Sequence, residues 1–187
     1  AKLVNKVINK QFNQKLKQAV TFKVDTKTNL AETQAITNGQ FDSSLAKLDI
    51  KNAVFDVKEA SLNSDYILDV PNLTKLYDIT QTKMRGKIDI IGKLESKKDN
   101  LLVTGVSKLL GGDLDFKLKN DDFSAKVKGV EIKELTHMMY YPKVFDSTSD
   151  LDLNYNLVSK KGKLTGNLIK GHFLANDFSA LINQFAK

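Results

Sequence analysis

Between Arg85 and Val130 the side chains alternate, apolar then charged, with a period of two. Ile88, Ile90, Gly92 and Leu94 share one parity; Lys87, Asp89, Lys93 and Glu95 share the other. A turn at Ser96-Lys97-Lys98-Asp99-Asn100 is followed by Leu101 and Val103. Gly111-Gly112 leads into Leu114, Phe116 and Leu118, set against Asp113, Asp115, Lys117 and Lys119. Asn120-Asp121-Asp122 leads into Phe123, Ala125 and Val127. In an extended chain every second side chain lies on the same side of a sheet. The stretch therefore predicts four successive antiparallel strands with one apolar and one charged face.

The remainder of the chain flanks or repeats this pattern. Residues 2 to 19 carry the helical spacing of Leu3, Val4, Val7, Ile8, Phe12 and Leu16 and predict an amphipathic helix. From Val20 the period becomes two. Strands are expected around Val20–Leu30, Gln34–Phe41, Leu45–Ile50 and Val54–Val57, with Asn52 a break, and then up to Val70. Pro71-Asn72 stops a strand and starts a short helix: proline cannot donate to a ladder, and asparagine caps well. A second short helix is expected from Glu131 to about Tyr140, ended by Pro142. A further hairpin joins Leu151–Leu157 to Leu164–Leu168. A last amphipathic helix carries Phe178, Leu181, Ile182 and Phe185, with Asn176 as its cap.

An internal repeat runs through this order. Leu94 to Gly105 matches Leu157 to Gly166, each with a Ser-Lys-Lys turn and a closing Thr-Gly. Val70 to Leu76 matches Val127 to Leu135. The whole of 1–187 is expected to be one repeat-built domain, a fragment of a larger protein. Its units fall at approximately 1–70, 71–130 and 131–187.

Catalytic chemistry finds no purchase in the motifs. Cysteine is absent, which removes disulfides, thiolate zinc sites and thiol nucleophiles. His137 and His172 lack metal-ligand spacing. Asp146, Asp150 and Asp152 lack the order of a calcium loop. Gly111-Gly112 is a turn, because no helix follows it to cradle a phosphate. No nucleophile elbow, Walker loop or dinucleotide fingerprint is present. No enzyme, no metal and no cofactor is therefore expected.

The net charge of +7 invites an anionic partner. Lysines nevertheless alternate with acids along most strands, and Arg85 is the sole arginine. That argues against nucleic acid and for lysines that solvate the outer strand faces. No apolar run reaches the roughly 20 residues of a membrane span.

A chain of nine or ten one-sided strands must cover its apolar faces or leave a trough open to an apolar ligand. Periodicity alone leaves both outcomes standing: a curved, partly open sheet forming a groove, or a closed sandwich or barrel.

Three runs carry a resemblance. They are Leu109 to Lys119 with its paired glycines, Phe123 to Leu135 with its strand-to-helix step, and Ser149 to Leu157 followed by Gly162-Lys-Leu-Thr-Gly166. In that order they resemble the C-terminal region of the AsmA-like, TamB-related proteins of Gram-negative bacteria, over about Lys83 to Asp177. Ser147 or Ser149 stands where the family's third element opens on glycine. The resemblance implies a mainly β repeat with short amphipathic helices, located in the periplasm. The full-length protein would be held at the inner membrane by an anchor outside this chain.

The resemblance also implies a module that binds or transfers phospholipid or another acyl lipid for outer-membrane biogenesis. The alternative is a structural scaffold that engages outer-membrane assembly proteins. On the first reading the groove candidates are Ile88, Ile90, Leu94, Leu114 and Phe116. Leu118, Leu151, Leu153, Tyr155 and Leu157 complete the set.

Overall fold

The structure is a computed structural model and describes residues 20–175. The helices expected at residues 2 to 19 and after Asn176 lie outside the described residues. Ten strands form one antiparallel sheet in strict chain order: β1 (Phe22–Ala31), β2 (Gln34–Ser43), β3 (Lys47–Asp56), β4 (Ser61–Val70), β5 (Ile88–Lys97), β6 (Asn100–Leu109), β7 (Gly112–Lys119), β8 (Asp122–Glu131), β9 (Phe145–Asn156) and β10 (Lys161–Phe173). β1 pairs only with β2 and β10 only with β9, so the sheet does not close into a barrel.

Two connections are longer than a turn. Between β4 and β5 a 3-10 turn (Leu73–Leu76) runs straight into helix α1 (Tyr77–Thr80). Asn72 caps it, its side-chain oxygen accepting from the Thr74 amide at 2.9 Å. Between β8 and β9 lies helix α2 (Ile132–Met138). Both connections leave from the same end of the sheet. The other end carries hairpin turns such as Lys98-Asp99 and Asn120-Asp121. Their first residues have positive φ, +53° at Lys98 and +51° at Asn120.

Three bulges explain how ten strands keep one apolar face. Each inserts one residue, and one residue reverses the parity of everything after it. In β3 the apolar residues switch from even (Leu48, Ile50) to odd (Ala53, Phe55) across a bulge at Asn52. In β8 they switch from Val127 to Val130 across Gly129, and in β10 from Leu168 to Phe173 across Lys170. All three bulge residues have positive φ. Two of them place their amide on a side chain of an adjacent strand: Asn52 on Asn38 Oδ1 at 2.9 Å, and Gly129 on Asp150 Oδ1 at 2.8 Å. Asn52 therefore does not break the chain, and no separate strand begins at Val54. A residue that read as an interruption is the device that keeps Phe55 on the same face as Ile50.

Candidate functional site

The inward face is built as rows running across the strands. One row is Leu94, Val103, Leu118, Phe123, Tyr155 and Gly162 from β5 to β10. The next is Tyr66, Gly92, Gly105, Phe116, Ala125 and Leu153, ending at Leu164. A third joins Ser107, Leu114, Val127, Leu151 and Gly166. Phe41, Leu48 and Leu68 occupy the same face in the earlier strands.

Nine of the ten groove candidates lie on this face and are half-buried: Ile88, Ile90 and Leu94 in β5; Leu114, Phe116 and Leu118 in β7; Leu151, Leu153 and Tyr155 in β9. Leu157 stands apart, in the turn after β9, and is 50% exposed. Tyr66, Val103, Phe123 and Val127 line the same face. The alternation already set Val103, Phe123 and Val127 on the apolar side, although they were not among the groove candidates. In β6 it is blurred by the consecutive apolar run Leu101-Leu102-Val103 and by the outward Val106.

The burial of these residues distinguishes a lining from a core. Among the described residues no isoleucine, phenylalanine or methionine is buried. Leu73 is the only buried leucine, and the few other buried apolar side chains include Ala53, Ala125 and Val130. A closed core of comparable length would hide most of its large aliphatic and aromatic groups. Here they stand half-shielded by their neighbours on the same face.

Small residues set the floor between them. At Gly92 an added Cβ would collide with the Thr104 carbonyl and the Tyr66 ring. At Gly105 it would sit 2.5 Å from the Phe116 ring. Glycine lets each ring lie down along the sheet instead of standing off it. The hidden serines carry no open polar demand. Ser64 Oγ donates to the Asp65 carbonyl at 2.9 Å, and Ser147 Oγ contacts the Thr148 and Ile169 carbonyls, both at 3.0 Å. A buried hydroxyl satisfied by backbone leaves the face effectively apolar.

The outward face is charged. Lys93 lies 3.6 Å from Asp65, Lys97 2.8 Å from Glu59, and Lys126 3.9 Å from Asp152. The hydrogen bond that Lys97 donates to the Glu59 carboxylate holds its pKa above the ordinary lysine range. Exposed pairs of this kind contribute little to stability; they keep this face wet.

At the end with the long connections, α2 contacts β8 and β9. Inward Ser147 and Ser149 are buried there, while outward Thr148 and Asp150 are exposed, so α2 lies over the inward face. Lys133 of α2 reaches Asp146 at 3.3 Å and Glu131 at 3.5 Å, and the Asp146 carboxylate chiefly raises its pKa. Lys143 holds Glu134 below the usual carboxylate range through a 2.7 Å contact.

The three acids of 146–152 therefore work within the fold: Asp146 anchors Lys133, Asp150 accepts the bulge amide of Gly129, and Asp152 faces Lys126. His137 is half-buried in α2 and His172 exposed on β10. No three metal-ligating side chains converge among the described residues.

Compared with protein-family models, with curated proteins and with solved structures, the chain matches none.

Proposed function

We propose that this chain is a non-enzymatic lipid-binding or lipid-transfer module of the periplasm, contributing to outer-membrane biogenesis. Its inward face would hold acyl chains. The observation that supports this reading is one apolar face that is half-buried across the inner strands and continues onto the exposed edge strands β1 and β10. Ten strands at about 4.8 Å make a strip roughly 43 Å across. Each methylene removed from water on such a strip is worth about 0.8 kcal/mol, so an acyl chain supplies binding energy without a reaction. The resemblance of Leu109–Lys119, Phe123–Leu135 and Ser149–Gly166 to the AsmA-like proteins supports the compartment and the class of cargo.

The test is solvent extraction of the purified protein followed by mass spectrometry, repeated on Phe116→Asp. Co-purifying acyl lipid that disappears in a folded Phe116→Asp protein is the expected result. Lipid retained in that variant, or no lipid in the parent, would sink the reading.

A second reading, a scaffold for outer-membrane assembly proteins, draws on the edges. Every residue of β1 and β10 is exposed, including apolar Leu30 and Leu164. An unpaired edge can accept a partner strand. Capture of a partner that is abolished by a proline at Thr165, with no lipid bound to the parent, would favour it.

A further inference from the structure

The two ends of the sheet differ in kind. The hairpin turns Glu32-Thr33, Val57–Ala60, Lys98-Asp99, Asn120-Asp121 and Leu157–Lys160 contain no aromatic residue. The opposite end carries the long connections 71–87 and 132–144. They hold three of the chain's five tyrosines and all three of its methionines. Tyr77, Tyr140 and Tyr141 are exposed, Tyr141 by 65%, and Ile79 is exposed beside them in sequence. The same connections contain six basic residues (Lys75, Lys83, Arg85, Lys87, Lys133, Lys143) against two acids (Asp78, Glu134).

The two connections meet. The Arg85 amide donates to the Met138 carbonyl at 2.9 Å, and the Arg85 guanidinium lies 3.9 Å over the Tyr140 ring. The guanidinium has no carboxylate partner among the described residues, and its Nε is buried without an acceptor. A half-buried cation stacked on an aromatic ring and lacking a counter-ion calls for an anion. Among the described residues Lys83 has no ion pair either. Lys87, Lys133 and Lys143, by contrast, are engaged by Asp89, Asp146 and Glu134.

We propose that this end of the sheet docks on an anionic lipid bilayer. Tyr77, Tyr140 and Tyr141 would settle at the headgroup level, and Lys83 and Arg85 would meet the phosphates. Tyrosine suits that boundary because its ring is apolar and its hydroxyl wet. Basic residues near an anionic surface are each worth about five-fold in affinity. The docking face is distinct from the inward strip, so it stands whether or not that strip carries lipid. If the strip does carry lipid, the bilayer would meet it at the end that α2 covers.

The experiment is co-flotation of the full chain with phosphatidylcholine vesicles, with and without phosphatidylglycerol. Two variants are compared, Tyr141→Ser and Lys83→Gln, both at exposed side chains. Val158→Ser at the hairpin end serves as control. Acyl lipid bound to each protein is measured separately. The expected result is flotation only with phosphatidylglycerol, weakened several-fold by Tyr141→Ser and Lys83→Gln, unchanged by Val158→Ser, with bound acyl lipid unaltered in all. Flotation indifferent to phosphatidylglycerol, no flotation at all, or equal losses at the two ends would overturn it.

Discussion

The Tyr66 hydroxyl donates to the Thr104 carbonyl at 3.0 Å, spanning from β4 to β6 over Gly92 of the strand between. One side chain thereby ties three strands together, and the absence of a Cβ at position 92 is what makes room for it. Tyr66 is among the few large side chains that are buried. This clasp marks the middle of a face that otherwise has little to hold it.

Substituting Gly92 should therefore cost more than an ordinary change on a strand. In Gly92→Ala the new Cβ meets the Thr104 carbonyl, which is backbone and cannot swing away. A loss of about 1–3 kcal/mol is expected, read as a lower urea midpoint. Stability equal to the parent would show that the strands slide without penalty.

Tyr66 also sets an alkaline limit. Burial raises its pKa above the ordinary tyrosine value, so the folded state favours the neutral phenol. Its contribution is complete below the unfolded pKa of about 10 and is lost as pH rises through the higher folded value. Tyr66→Phe should lose about 1 kcal/mol at neutral pH with the hydrogen bond. Above about pH 10 it should lose stability less steeply than the parent. Parallel melting curves from pH 8 to 11 measure this.

Neighbouring residues on opposite faces give a direct test of the inward strip. Ile90 faces inward, opposite Leu68; Ile91 faces outward, opposite Ile67 and Val106, and is 61% exposed. Ile90→Asp should abolish acyl-lipid occupancy while the far-ultraviolet spectrum persists. Ile91→Asp should leave occupancy intact. Equal effects of the two changes would contradict a one-sided site.

The bulge at Asn52 should be sensitive to insertion beyond its size. One residue inserted after Asn52 would turn Ala53 and Phe55 outward and Val54 inward. Protease resistance of β3 and its neighbours should fall sharply. Asn52→Gly keeps the positive φ of this position and should be tolerated. An insertion protein as resistant as the parent would rule out the parity role.

Much of this was legible in the residues. The alternation of Ile88 to Val127 prescribed four strands and their sidedness, because a period of two admits no other regular structure. Pro71-Asn72 announced the first connection, since proline cannot pair and asparagine satisfies a free amide. Nine of the ten chosen side chains fall on the one face for the same reason. Asn52 was misread because a bulge and a break look alike locally: both interrupt the alternation. Only the hydrogen bond from its amide to Asn38, a residue of the adjacent strand, separates the two. Tyr66 escaped notice because its role depends on Gly92 and Thr104, far away in the chain.

The sequence by itself determined most of the strands, their succession and, between bulges, which side chains share a face, since these follow from local periodicity and short turns. Whether the face would be shut away was a different matter. A closed sandwich and an open strip share the same alternation, and the choice rests on whether β1 and β10 find each other across the whole sheet. The tertiary structure leaves them unpaired, with Leu30 82% exposed on one edge and Leu164 64% on the other. It also brought Arg85 onto Tyr140, a contact between two connections that no local pattern encodes.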